Sequence, residues 1–392
     1  MRGKMRVSQM PPRGWWAGIL LVCVVVACFD AKLGPAQQSA DPASLYEKQF
    51  PLFDLLTQAD LGQGPPITEI AQWVAKRQLI KDKWLTDLLG AFPAKVPLDI
   101  RERGTIEYAA YTQKQIDYAT EVGDRVNAYL LLPKPLGKDL PAVMALNPTS
   151  IHGAASVVGL AEKEEWWYAR ELVRRGFVVL APDILTEGER IYPGREAHDS
   201  RPFYESHGNW SMMGKMLWDH MRGVDVLQSL AFVDPKRIGA LGWSLGAHNT
   251  AFLAAFDDRV AAAVTDGGMY MIAGDSNPFR WCRQQDTSDT GVAQFFGMPK
   301  MRSYLESGNV PFDLHEIQAL LAPRPYLDMN SVMAEDNWRG GVAAARKVGR
   351  VYQLYGKPDH FANRVFDGPH GFRPDMRKVA YEWLDRWLKN SP

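Results

Sequence analysis

The pentapeptide Gly242-Trp243-Ser244-Leu245-Gly246 constrains this 392-residue chain more than any other feature. It directly follows the apolar run Ile238-Gly239-Ala240-Leu241 and precedes a helix-like stretch from Ala247. A serine framed in this way sits on a sharp strand-to-helix turn, where a side chain at either glycine would crowd the backbone. The following helix aims its unpaired N-terminal NH groups at the serine, so the Leu245 NH is expected to stabilise an oxyanion. A chance G-x-S-x-G in a loop lacks both flanking elements.

From Val126 onward, short aliphatic runs alternate with amphipathic stretches, the pattern of a mostly parallel sheet covered by helices on both faces. The strands read 126–132, 142–146, 177–181, 237–241, 260–265, 325–329 and Val351 to Leu354. Helices are expected at 162–175, 211–231, 245–256, 339–348 and 375–389, the last marked by Met376, Val379, Ala380, Trp383, Leu384, Trp387 and Leu388 on one face. Two irregular segments, 186–209 and 267–311, break the alternation and are expected to be substrate loops.

With Ala181-Pro182-Asp183, Asp234-Pro235-Lys236-Arg237-Ile238-Gly239, Ala322-Pro323-Arg324-Pro325 and His370 before a final helix, residues 126–389 resemble the α/β-hydrolase superfamily. The likeness is nearest to its dienelactone-hydrolase-like and acetylxylan-esterase-like members. It implies an α/β-hydrolase fold and the order serine, acid, histidine along the chain. Serine needs a base, and histidine has the suitable pKa. His370, in Asp367-Gly368-Pro369-His370-Gly371-Phe372, stands where the superfamily places that base, with His360 as the alternative. His248 and His220 read as packing residues; His152, His198, His207 and His315 have no strong claim.

The acid usually follows the strand matching Pro325 to Met329. Here Ser331-Val332-Met333-Ala334 comes first, so Asp336 is chosen, with Glu335 and Asp266 as alternatives; each also reads as a plain loop carboxylate. A second oxyanion donor is expected after Leu146. Pro148 has no NH, so Thr149 is the candidate, with the Asn147 amide as a helper or simply a turn former. Trp210, Trp243 and Trp281 are candidates for the substrate pocket, or ordinary core aromatics. No metal site and no cofactor is expected: no His/Cys cluster has ligand spacing, and no phosphate-binding glycine loop follows the first strand.

Residues 1–29 carry Arg2, Lys4, Arg6 and Arg13 and then the apolar run Trp15 to Phe29, which reads as a signal segment. Val25-Val26-Ala27-Cys28 resembles a lipobox with a lipidated Cys28 as membrane tether; cleavage near Ala40 and a retained anchor are the alternatives. A tether at 30–44 and a helical extension at 45–110 are expected to precede a catalytic domain at 111–392. The signal segment holds Cys23 and Cys28, leaving Cys282 alone in the body and reading as a packed thiol. Lys+Arg and Asp+Glu both number 45, so no net field gathers nucleic acid.

The expected function is a serine carboxylic-ester hydrolase, exported and acting through an acyl-enzyme on a carbohydrate or small-molecule ester. A prolyl-oligopeptidase-like peptidase and a non-catalytic binding protein that keeps the fold are the competing readings.

Overall fold

Nine strands form one sheet in the order β1-β2-β3-β5-β4-β6-β7-β8-β9. The computed structural model describes residues 52–269, 271–273, 275, 277–282, 297–332 and 338–389. The strands are β1 (Arg101–Glu107), β2 (Tyr111–Glu121), β3 (Asp124–Pro133), β4 (Leu140–Leu146), β5 (Val178–Pro182), β6 (Val233–Trp243), β7 (Val260–Asp266), β8 (Tyr326–Ser331) and β9 (Phe361–Phe366). β1, β2 and β3 run antiparallel, and β3 joins β5 antiparallel. From β5 to β9 every pairing is parallel.

Residues 142–146 and 178–181 are wholly buried and apolar because helices cover both faces of the parallel part. The helices are α1 (Ile70–Trp84), α2 (Tyr168–Arg174), α3 (Arg201–Ser206), α4 (Met212–Ser229), α5 (Leu245–Phe256), α6 (Met301–Ser307), α7 (Leu314–Ala319), α8 (Trp338–Leu354) and α9 (Pro374–Leu388). One core holds Leu172 of α2 and Met376, Leu384 and Leu388 of α9 against Val143, Val179 and Val264. The other holds α1, α4, α5 and α8 against Met144, Leu180 and Ala240. The Ser211 hydroxyl caps α4 by accepting from the Gly214 NH at 2.9 Å.

The sequence expectation lacks β1, β2 and β9 and places a strand where there is none. Val351 to Leu354 is the last turn of α8, and the strand that precedes His370 is β9. A four-residue run with three apolar members does not distinguish strand from helix. Here Ala344, Val348, Val351 and Tyr352 are all buried at helical spacing, and Gly356 (φ 65°) lies just beyond the helix. The stretch before residue 110 is only partly helical: α1 continues as a short π-turn over Leu85–Leu89, and Arg101–Glu107 is already sheet.

Trp73 and Trp84 of α1 have no exposed surface. The Trp84 indole donates to Glu316 Oε2 at 2.9 Å, Lys83 Nζ meets Glu316 Oε1 at 2.9 Å, and Arg77 donates to the Leu320 carbonyl at 3.0 Å. The ring packs edge-on against Phe252 and Phe312. The extension thus completes the core over α5 and α7. Trp84→Ala is expected to lower the unfolding free energy by about 3–5 kcal/mol in a urea titration, because it leaves a cavity and strips a hydrogen bond from buried Glu316.

Candidate active site

β6 carries the serine to the middle of the sheet. Ser244 has φ 56° and ψ −120°, a conformation few residues other than glycine adopt. Its NH donates to the Asp266 carbonyl at 2.8 Å, so the backbone at the turn is still tied to β7. A Cβ on Gly242 would lie 2.1 Å from the Gly246 oxygen, and one on Gly246 would lie 2.0 Å from the Leu146 oxygen. Both glycines are required because the turn is pressed against itself and against β4. Leu245 opens α5, and its NH has no carbonyl within the helix to meet.

His370 lies in the exposed loop after β9, and its ring rests on the backbone of β7's end. A Cβ at Gly267 (φ 62°) would stand 2.8 Å from His370 Cε1 and 2.9 Å from Nδ1. The ring centroid is 5.3 Å from that of Trp243. The base expected from the sequence is therefore brought to the residues flanking Ser244. His360 sits at the other end of β9, about 20 Å away along a six-residue strand, where its Nδ1 lies 2.8 Å from the Pro323 carbonyl oxygen.

The Val332 NH donates to the Phe366 carbonyl at 2.9 Å, so the loop after β8 and the loop to His370 leave the sheet side by side. Asp336 and Glu335 lie outside the described residues. Asp266 ends β7, buried, and neither of its carboxylate oxygens has a hydrogen-bond partner among the described residues. Burial pushes its carboxyl well above the usual range, the Asp328 charge adds to this, and Arg373 opposes both.

A cavity of about 210 Å³ opens on Ser244. Leu245 and Thr149 line it, with Met213, His248, Arg280, Trp281 and Gly297 completing the described wall. Leu245, Thr149 and Trp281 thus share one space with the serine. Arg280 donates from Nε and Nη2 to the two Asp275 oxygens at 2.9 and 3.0 Å. His248 bonds through Nε2 to the Gly268 carbonyl, and burial pushes its pKa down to about 4.

The other expected contacts stand elsewhere. Asn147 is buried and its amide donates to Glu187 Oε2 and the Pro148 carbonyl, both at 2.8 Å. Trp210 packs between Gly90 and Gly214, where a Cβ would stand 2.6 and 2.7 Å from its indole. Trp243 is turned toward Trp166 and His370. The sequence reading did not single out Arg280, Met213 and Gly297 as site residues, although Arg280 and Gly297 fall in the irregular 267–311 stretch. Among the described residues no group of three His, Cys, Asp or Glu is set to hold a metal ion.

The strand order, the serine turn and the histidine after the last strand decide the architecture. The fold is that of the α/β-hydrolases. The family model "Glucuronyl esterase, fungi" matches residues 192–357, which include Ser244 and stop short of His370. A 4-O-methyl-glucuronoyl methylesterase of Neurospora crassa is 26% identical over 193 residues, 45% of this chain and 48% of that protein. A Bacillus subtilis protein named "Putative hydrolase YtaP" is 27% identical over 78% of this chain and 98% of its own length. The structure of a glucuronoyl esterase from Solibacter usitatus superposes with a TM-score of 0.65 at 18% identity, covering 86% of this chain and 99% of that one.

Asp266 holds its proton more tightly folded than unfolded, so its contribution to stability is full below the ordinary carboxyl value of 3.8 and is lost as pH rises toward the folded value. Asp266→Asn removes that dependence. The difference in Tm, variant minus parent, is expected to grow more positive from about pH 5 to about pH 8; a constant difference would mean that Asp266 titrates alike in both states.

Proposed function

We propose that this α/β-hydrolase cleaves carboxylic esters through an acyl-enzyme on Ser244, with a carbohydrate or a small organic acid in the substrate. The observation that carries the reading is the left-handed serine opening into a cavity flanked by Leu245 and Thr149. Ser244 Oγ attacks the ester carbonyl while His370 takes its proton; the proton then leaves with the alcohol. A water deprotonated by the same imidazole attacks the acyl-enzyme, and the returning proton restores Ser244 as the acid departs. The NH groups of Leu245 and Thr149 serve as oxyanion donors. Arg280 and Trp281 offer a donor and an aromatic face for a sugar ring. The partial family match and the methylesterase relative favour a uronate ester, in which the sugar supplies the acyl part.

The acid that orients His370 is assigned to Asp336, four residues beyond Val332, as His370 is four beyond Phe366. A second reading assigns it to Asp266, favoured by a buried carboxyl with no hydrogen-bond partner among the described residues, at the strand end beside Ser244. The Asp→Asn change that removes the acid is expected to lower kcat by about 10⁴-fold, as loss of a triad aspartate does. Measured side by side, D336N should show that loss and D266N a small one; the reverse result assigns the role to Asp266.

The basic residues Arg2 to Arg13 and the apolar run to Phe29 support export, with lipidation of Cys28 as a route to a membrane tether; both lie outside the described residues. Among the described residues no helix is long and apolar enough to cross a membrane.

The decisive assay compares the parent with Ser244→Ala on methyl glucuronate, acetylated xylan and p-nitrophenyl acetate. Methanol release from the uronate that disappears in S244A is the expected result. Acetate release alone makes the sugar the alcohol part. Absence of both turnover and fluorophosphonate labelling at Ser244 would favour a binding protein.

A further inference from the structure

The cavity's Thr149 side hangs on a carboxylate that takes no part in the reaction as derived above. Glu187, in the loop after β5, is fully buried. Its Oε2 accepts from Asn147 Nδ2 at 2.8 Å, and the same amide nitrogen reaches the Pro148 carbonyl at 2.8 Å. The Ser150 NH also points at this carboxylate. His198 closes the other side, with Nδ1 3.3 Å from Oε1. His198 is itself held at φ 68° by donating its NH to the Thr186 carbonyl at 2.9 Å.

Glu187 therefore grips the residues around Thr149, leaving only Thr149 in the cavity. Beyond it, Asp183 accepts from the Ala154 NH at 2.7 Å, and the Gly188 NH donates to the Ile151 carbonyl at 3.2 Å. A buried carboxylate is costly unless several donors converge on it. Here the Asn147 amide bonds Oε2 and the Ser150 NH faces the carboxylate, while the His198 ring stands 3.3 Å from Oε1 without a hydrogen bond to it among the described residues; a glutamine would offer only one acceptor oxygen.

We infer that Glu187 is a positioning residue for the ester hydrolysis proposed above: through Asn147 and Ser150 it sets the Thr149 peptide at the distance from Ser244 that an oxyanion donor requires. The inference rests on the esterase reading. Displacing one donor of such a pair costs rate in the chemical step and little in ground-state binding.

The test uses the full chain, with Glu187→Gln, Asn147→Ala and the double variant compared with the parent. The assay is run at pH 8, where the carboxylate form prevails, since burial pushes this group up to about 7 against the pull of His198 and the Asn147 and Ser150 donors. On p-nitrophenyl acetate, E187Q and N147A should each lower kcat by about 10–100-fold, with KM within about threefold of the parent. Fluorophosphonate labelling of Ser244 should slow in parallel, and the double variant should be no worse than the worse single one. N147A removes a neutral side chain and carries the test should E187Q fail to fold. A folded variant with kcat within about twofold of the parent, or a loss appearing wholly in KM, overturns the inference while leaving the esterase intact. A parent with neither turnover nor Ser244 labelling overturns both.

Discussion

Holding Ser244 in a left-handed backbone costs on the order of 1–3 kcal/mol, and the central strands supply what keeps it there. The Ser244 NH is bonded to β7, the Gly246 backbone is pressed on the end of β4, and β6 runs between them. Remove either neighbour and the turn can relax to an ordinary one. The nucleophile is thus a property of three adjacent strands more than of five residues, and His370 joins the same frame by resting on Gly267 at the end of β7.

The irregular segments that wall the cavity are fixed by a different device. Each is pinned by buried carboxyls that accept hydrogen bonds from it, several backbone NH groups for Asp183 and Asp313 and the Asn147 amide for Glu187. Asp183 and Glu187 hold the segment after β4, while Asp313 accepts from Ile272 and Ala273 at 2.9 and 2.8 Å and pins the segment after β7. Burial raises all three carboxyls, to about 6 for Asp183 and about 7 for Glu187 and Asp313. Loops without regular hydrogen-bond ladders must satisfy their backbone somewhere, and these side chains do so.

The glycine-framed serine, the alternation of strands and helices and the position of His370 were legible in the sequence because each rests on local spacing. Val351 to Leu354 was misread because a short, mostly apolar run fits the end of a helix as well as a strand, and the true strand, Phe361–Phe366, carries the adjacent polar pair Asn363-Arg364, which breaks the period-two pattern. Thr149 and Trp281, expected near the serine from their place after a strand or in an irregular loop, both line the cavity. Trp210 and Asn147 were not separable from them by residue type alone. What tells them apart is long-range: Gly90 and Gly214 opening a slot for one, Glu187 claiming the other. The same reason hid Glu187, whose partner stands 40 residues earlier in the chain.

The seat of Trp84 has a consequence for how the molecule comes into being. Its hydrogen-bond partner Glu316 follows it by 232 residues, and Phe252 and Phe312 are also made long after it. A growing chain emerges N-terminus first, so α1 leaves the ribosome with two tryptophans that have nothing to cover them until most of the sheet exists. For that interval α1 carries apolar rings that the finished fold buries. Production of the protein will therefore be governed by what shields this early segment at least as much as by the stability of the finished fold.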